Sequence, residues 1–125
     1  MTKVLFIDDE NIRHQFASSV ADDENVELIH AYTLDEALGL LNDHYDLICI
    51  DHDMGEKKRN GTLIAKEIKK TNKNVPFVWV HSANPVGSMN IQSILSKASN
   101  VAGIVKEPFN LVSLMQVFRY IKNEI

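Results

Sequence analysis

The sequence predicts an α/β fold in which a five-stranded parallel sheet carries helices on both faces. Short apolar runs alternate five times with segments of helical periodicity, and the connections between them are short. The clearest run, residues 47–50, is apolar throughout and ends abruptly in Asp51-His52-Asp53. Such a run is typical of a strand buried on both faces, and repeated strand–helix units form parallel sheets through right-handed crossovers.

The predicted strands lie at residues 4–7, 26–31, 47–50, 76–80 and 101–105. The second alternates apolar and polar side chains, so we expect it at an edge of the sheet. The predicted helices span residues 11–21, 61–70, 89–97 and 111–121, and a further helix begins after Thr33. Thr33 precedes Glu36 at the spacing of a capping box. Residues 85–87, Pro-Val-Gly, are predicted to form a loop.

Three of the helices are predicted to turn long apolar side chains into the core. On the first helix, Ile12, Phe16 and Val20 share one face at helical spacing. On the fourth helix, Met89 is predicted to point inward. The predicted apolar face of the last helix comprises Leu111, Leu114, Met115, Phe118 and Ile121.

Composition limits the classes of function. The chain has 125 residues, which suits one domain spanning residues 1–125. No apolar run approaches the roughly 20 residues of a membrane span, so we expect no membrane partner. The net charge of −4 does not favour nucleic-acid binding. Cys49 is the single cysteine, and the first strand leaves no room for a signal peptide, so we expect a cytoplasmic protein.

Carboxylates follow two of the predicted strands. Asp8 and Asp9 follow the first strand, and Asp51 and Asp53 follow the third. The carboxyl ends of parallel strands lie at one edge of the sheet, where ligands bind in open α/β folds. If the two strands are neighbours, a hard divalent cation such as Mg²⁺ relieves the repulsion between the carboxylates. The alternative is that each aspartate caps the helix that follows it.

Three other polar residues are expected at or near this edge. Ser82 ends the fourth strand, where it can cap a helix or donate to a phosphoryl group. Lys106 ends the fifth strand, where it is either a surface side chain or a partner for a carboxylate or phosphoryl oxygen. Arg13 lies one helical turn beyond the first acidic pair and is predicted to pair with Glu10 or Asp9.

Four ordered motifs resemble the receiver domain of bacterial response regulators. They are Phe6-Ile7-Asp8-Asp9-Glu10, the stretch from Asp46 to Asp51, Ser82-Ala83, and Lys106 ahead of Pro108-Phe109. Together they cover essentially the whole chain in the order that the family shows. The resemblance implies a flavodoxin-like, doubly wound sheet with strand order 2-1-3-4-5 and five helices.

The same resemblance implies a signalling role and a division of labour among the aspartates. Asp51 is the implied phosphoacceptor. Asp9 and Asp51 would bind Mg²⁺ directly, together with the backbone carbonyl of Asp53, while Asp8 would act through water. The implied partners are a histidine kinase or phosphotransfer protein and a downstream protein.

Other positions either complete the receiver pattern or depart from it. Ser82 and Lys106 would hold the phosphoryl oxygens, in agreement with the charge neutralisation that phosphoryl transfer needs. However, Gly55 stands where receivers usually have a proline, and Glu107 separates Lys106 from the following proline. Gly103 occupies the position of an aromatic residue that couples phosphorylation to output, and a glycine cannot act as such a switch.

Two segments, DHDMG from Asp51 and HSANPVG from His81, are richer than a receiver needs. They resemble the signatures of a divergent receiver-like family proposed to process cyclic phosphates. In that chemistry His52 and His81 would act as general base and acid, with Asn84 and Gly87 as loop contacts. The two histidines could instead supply nitrogen ligands and favour a transition metal, or pack near the site. In regular strand geometry, His52 points to the opposite face from Asp51.

Three functions remain open from the sequence. The first is a stand-alone receiver that accepts phosphate on Asp51 in two-component or phosphorelay signalling, and the occupied receiver positions favour it. The second is a metal-dependent phosphoesterase that acts on cyclic phosphates at the same edge. The third is an interaction domain that keeps the fold and the metal without turnover. The histidines discriminate between the first two, because a receiver tolerates their loss.

Overall fold

The computed structural model describes residues 1–55, 59–71, 74–81 and 84–124, which form five strands and five helices. The strands are β1 (Lys3–Ile7), β2 (Glu27–Ala31), β3 (Leu47–Ile50), β4 (Val75–Val80) and β5 (Val101–Val105). The helices are α1 (Asn11–Glu24), α2 (Leu34–Leu40), α3 (Gly61–Lys70), α4 (Pro85–Ser96) and α5 (Leu111–Glu124).

The strands form one parallel sheet in the order β2-β1-β3-β4-β5. This confirms the predicted flavodoxin-like architecture and places the weaker strand β2 at an edge. Because β1 and β3 are neighbours at the centre, the residues that follow them lie side by side. No helix in the described part of the chain is both long and apolar enough to cross a membrane.

Side-chain alternation along the strands divides the hydrophobic core between the two faces of the sheet. In β1, Leu5 and Ile7 pack in the cluster that includes residues of α2, α3 and α4. Val4 and Phe6 pack on the opposite face, in the cluster that includes residues of α1 and α5. Cys49 lies in this second cluster as predicted, and its complete burial raises the pKa of the thiol.

The predicted orientation of α1 is wrong for two of its three residues. Ile12 is 51% exposed and Phe16 is 42% exposed, whereas Val20 is buried. The buried residues of this helix are His14, Ala17, Val20, Ala21 and Glu24. Two of them are polar and have partners in the fold, because His14 contacts the Asp8 carbonyl and Glu24 accepts from Arg119. A hydrophobic pattern cannot anticipate a buried face that depends on such pairs.

The start of α4 also differs from the prediction. Pro85, Val86 and Gly87 form its first turn rather than a loop. Proline at the first helical position lacks only an N–H that would have no helical partner, and Asn84 supplies the cap by accepting from the Gly87 N–H. Met89 then faces solvent with 69% exposure, so its predicted inward position is wrong.

The predicted face of α5 is correct at its centre and wrong at its margin. Leu114, Phe118 and Ile121 are buried, but Leu111 and Met115 are exposed. The remaining buried positions of this helix are Ser113 and Val117. The helix is therefore rotated relative to the prediction, so that Val117 and not Met115 faces the sheet.

Candidate functional site

Asp8, Asp9 and Asp51 converge where the neighbouring strands β1 and β3 end. One carboxylate oxygen from each lies within 4.8 Å of the others. Ile7 is paired with Ile50 in the sheet, so Asp8 and Asp51 follow their strands at the same level. Asp8 and Asp51 are buried, whereas Asp9 is exposed. We call these three aspartates the acidic cluster.

Burial is the largest influence on the pKa values of the three aspartates in the acidic cluster. It raises the pKa of Asp51 from 3.8 to about 6, and the charge of Asp8 adds to this rise. Burial also acts to raise the pKa of Asp8, but the hydrogen bond from His81 and the charge of Arg13 help to outweigh it, and this pKa is lowered. The pKa of Asp9 is raised by burial and by the charge of Asp8. The cluster therefore holds negative charge at a free-energy cost that a bound cation would relieve.

Arg13 supplies a positive charge to the acidic cluster from the first turn of α1. Its Nη1 lies 3.2 Å from Asp8 Oδ2 and 3.3 Å from Asp51 Oδ2. Its Nε lies 3.7 Å from Glu10 Oε2, so the predicted contact with Glu10 is present but is the longest of the three. Neither of the two shorter contacts was predicted, and the one with Asp51 joins residues 38 apart in the sequence.

His81 lies beneath the cluster in a fully enclosed position. Its Nε2 donates to Asp8 Oδ2 at 2.9 Å, and its ring stacks on Phe6 with centroids 4.9 Å apart. Trp79 and Phe109 enclose the ring further. The Nδ1 atom has no hydrogen-bond partner among the described residues. Because the side chain is 0% exposed, this geometry favours a role in positioning Asp8 over contact with a substrate.

His52 lies in a second unit, which joins the two signature segments. Its Nδ1 donates to Asp53 Oδ1 at 2.8 Å, and Asn84 Nδ2 lies 3.5 Å from the same oxygen. A Cβ atom at Gly87 would lie 2.3 Å from His52 Cγ, so only glycine leaves room for the ring. The carboxylate of Asp53 is thus engaged here rather than in the acidic cluster, and the role of its backbone carbonyl remains a prediction.

The segment that carries His52 also returns to the acidic cluster. Gly55 has a φ of +76°, and a Cβ atom there would lie 3.2 Å from Asp9 Oδ2. A glycine is favoured at this position both by the left-handed backbone and by the close approach to the carboxylate. The DHD-x-G signature therefore has a geometric basis at its last residue.

The alternation of side chains along the strands continues into the site, so that its side chains lie on two different faces of the sheet. Asp8, Asp51 and His81 extend the side-chain rows that form the core beneath α1 and α5. His52 extends the row on the other face and contacts Gly87 of α4. Consecutive residues at the end of β3 consequently serve different units of the site.

A chain of hydrogen bonds runs from Asp8 to the surface, although no sequence motif surrounds its members. His14 Nε2 lies 2.7 Å from the Asp8 carbonyl oxygen, and His14 Nδ1 lies 2.7 Å from His30 Nδ1. His30 Nε2 lies 3.2 Å from Ser18 Oγ, and Tyr32 stacks on His14. Burial lowers the pKa of both histidines, so both rings are neutral. Since a carbonyl only accepts, His14 donates from Nε2 and accepts from His30.

Two predicted phosphoryl-binding residues are not part of the described site. Ser82 lies outside the described residues. Lys106 is exposed directly after β5, and no described residue pairs with it.

At Gly103, the Phe77 ring would lie 3.0 Å from an added Cβ, and this ring meets Tyr120 edge-on. The Phe77 ring thus packs against the backbone at the position of the usual switch residue.

The chemistry of the donor atoms suits a hard divalent cation. The acidic cluster offers three carboxylate oxygens, the ligand type that Mg²⁺ prefers. Within the described residues, no histidine or cysteine belongs to this group, so the set lacks the softer ligands that favour a transition metal. Asp8, Asp9 and Asp51 are therefore the residues that would hold Mg²⁺.

Comparison with protein families matches residues 3–97 to a family described as the cyclic-phosphate processing receiver domain. This match includes both signature segments and the acidic cluster. No curated protein matches the sequence significantly.

Solved structures with the same fold include several response regulators. The receiver domain of the Francisella response regulator 1452 is 26% identical, with a TM-score of 0.74 over 99% of this chain and 98% of that one. TrrA from Thermotoga maritima, in complex with Mg²⁺ and BeF, is 25% identical, with a TM-score of 0.71 over 97% and 99%. NtrX from Brucella abortus, in complex with ADP, is 23% identical, with a TM-score of 0.74. That match covers 99% of this chain but only 28% of NtrX.

Proposed function

The chain belongs to the cyclic-phosphate processing receiver domain family, and on this premise we propose that it is a metal-dependent phosphoesterase that opens cyclic phosphodiesters. One observation carries the proposal. His52 is seated against Gly87 and held by Asp53, so the two signature segments form a single unit. The same segment reaches Asp9 of the acidic cluster through Gly55.

The tautomer of His52 suits the role of a general base. A carboxylate only accepts hydrogen bonds, so the contact with Asp53 fixes the proton on Nδ1 of the neutral ring. The neutral ring then presents Nε2 as a proton acceptor, and this atom makes no hydrogen bond within the described residues. Asp53 and Gly87 hold the ring in place, which is what a positioned base requires.

In the proposed hydrolysis of a cyclic phosphodiester, His52 is the proton acceptor. A water oxygen attacks the phosphorus, one P–O bond of the cyclic ester breaks, and the departing oxygen takes a proton from solvent to give a phosphomonoester. His52 accepts the proton that the attacking water loses. A divalent cation bound by the acidic cluster would polarise a phosphoryl oxygen and lower the pKa of water. His81 holds Asp8 in position for that cation.

The test compares three proteins on a 2′,3′-cyclic nucleotide with Mg²⁺. We expect turnover by the wild type and a loss of about 10²–10⁴-fold in His52→Ala, the usual contribution of a positioned acid–base group. His44→Ala is the matched control, because His44 is exposed and contacts only Asp46 among the ion pairs of the described residues. Wild-type protein without turnover, or His52→Ala with wild-type turnover, would contradict the proposal.

A second candidate function is phosphoacceptance on Asp51. It is supported by the position of Asp51 beside Asp8 and Asp9 and by the similarity to TrrA, whose structure contains Mg²⁺ and BeF. As a receiver, the domain would take phosphate from a histidine kinase or phosphotransfer protein and act on a downstream protein. Lys106 is exposed and pairs with no described residue, so its position does not support this role.

Intact mass after incubation with a small phosphodonor and Mg²⁺ tests the second candidate. We expect one added phosphoryl group on a receiver and none on Asp51→Asn. Phosphoacceptance that survives His52→Ala, without hydrolysis of the cyclic nucleotide, would favour the receiver over the phosphoesterase. An unmodified mass under excess donor would remove the support for the receiver role.

A further inference from the structure

Arg13 occupies two of the three carboxylates that the proposed metal site offers. Its Nη1 contacts Oδ2 of both Asp8 and Asp51, at 3.2 Å and 3.3 Å. The Asp8 side chain is 0% exposed and that of Asp51 is 5% exposed. The guanidinium therefore compensates two buried negative charges that have little access to water.

A guanidinium and a divalent cation cannot both be favourable at this position. Mg²⁺ binds oxygen at about 2.0–2.1 Å. The Nη1 atom of Arg13 would lie only about one ångström further than the ion from the same carboxylates. Two cations on the same carboxylates repel each other, and the repulsion is strong where burial excludes water. Binding of the ion consequently requires Arg13 to withdraw.

Arg13 has a place to which it can withdraw. Its side chain is 24% exposed, and Glu10 lies 3.7 Å away with 55% exposure. The guanidinium carbon also lies 5.9 Å from the centroid of the Phe109 ring, a flat surface on which a guanidinium can remain. A small shift toward Glu10 keeps these contacts while it releases the buried carboxylates.

We infer that Arg13 is an exchangeable counter-cation, which neutralises Asp8 and Asp51 in the metal-free protein and is displaced by the divalent ion to bind the anionic ligand. The inference rests on the metal site of the proposed function. It explains how a buried acidic pair is stable before the ion arrives. It also assigns the released guanidinium to a phosphate group, which a planar, always charged side chain binds well.

The first experiment measures Mg²⁺ affinity calorimetrically for the wild type, Arg13→Gln and Arg13→Lys. Removal of the competing charge should tighten Mg²⁺ binding about five- to tenfold in Arg13→Gln, since a partly exposed ion pair is worth about 1 kcal/mol. Arg13→Lys keeps the charge and should stay near the wild type. Arg119→Gln is the matched control, because Arg119 pairs with Glu24 at the other end of α1. Unchanged or weaker binding in Arg13→Gln would overturn the inference.

The second experiment adds inorganic phosphate. Phosphate should tighten Mg²⁺ binding to the wild type, and this gain should be lost in Arg13→Gln. A gain of equal size in the variant would overturn the anion-binding role. In the wild type itself, the side-chain NMR signal of Arg13 should shift as Mg²⁺ saturates the site, and a static signal would overturn the exchange without any mutation.

The outcomes separate this inference from the metal site on which it depends. If the wild type binds Mg²⁺ and Arg13→Gln binds it equally well, only the exchange fails. If neither protein binds Mg²⁺, the metal site and the exchange fail together. If Arg13→Gln alone binds Mg²⁺, Arg13 blocks the site permanently in the wild type, and the exchange is overturned while the metal site stands.

Discussion

Replacing Asp51 with asparagine should stabilise the metal-free protein, although it removes a buried ion pair. Asp51 is 3% exposed, and its pKa is raised from 3.8 to about 6. A rise of this size corresponds to about 3 kcal/mol of unfavourable free energy for the ionised side chain in the folded state. Asparagine removes that charge and can still accept from Arg13, so the free energy of unfolding should increase by about 1–3 kcal/mol.

The pH dependence identifies the cause. The pKa is higher in the folded state than in the unfolded state, so the unfolded chain releases the proton first as the pH rises. The wild type therefore loses stability relative to Asp51→Asn between pH 3.8 and about pH 6, and the difference is constant above that window. Groups remote from Asp51 titrate alike in both proteins, so their effects cancel in the difference.

Urea unfolding in EDTA, followed by circular dichroism, measures both quantities. Asp23→Asn is the control, because Asp23 is an exposed carboxylate on the same sheet face near the far end of α1. Its stability near neutral pH should match that of the wild type. Equal stability of the wild type and Asp51→Asn near neutral pH, or a difference that does not change with pH, would refute the reasoning.

Three other results are expected. Excess Mg²⁺ should raise the melting temperature of the wild type, and EDTA should reverse the rise, since a ligand of the folded state stabilises it. At pH 6.5, the ordinary pKa of histidine, His14 and His30 should give NMR signals that are mainly those of neutral rings, and mainly protonated signals would contradict this. Because their pKa values are lowered, stability should fall as the pH drops below 6.5. Gly87→Ala should displace His52 and lower both melting temperature and turnover, whereas Gly39→Ala, where nothing lies within 4 Å, should lower neither.

The sheet and the acidic cluster were predictable because their signals are local. An apolar run that ends in a carboxylate marks both a buried strand and its carboxyl end, and this identifies Asp8, Asp9 and Asp51 from the sequence alone. Their convergence then required only that the two strands be neighbours. The order of the sheet came from a family resemblance, because apolar runs do not specify which strands pair.

The parts of the site that were missed depend on contacts between distant segments. Arg13 and Asp51 are separated by 38 residues, and no periodicity connects them. His14 appears in the sequence as a polar residue on a helix, yet it is buried because His30 and the Asp8 carbonyl satisfy both ring nitrogens. Buried polar pairs of this kind are specified by tertiary geometry, which a single sequence does not display.

The alternation of side chains at the end of β3 makes the site more sensitive to the length of this segment than to its composition. Asp51 and His52 are joined by one peptide bond, yet they face opposite sides of the sheet. One inserted or deleted residue within β3 would exchange the two, which would send the imidazole toward Arg13 and the carboxylate against Gly87. A substitution alters one side at a time, whereas an insertion or deletion disables both. Within homologous chains, residues 47–50, which precede these two side chains, should therefore vary in identity far more readily than in number.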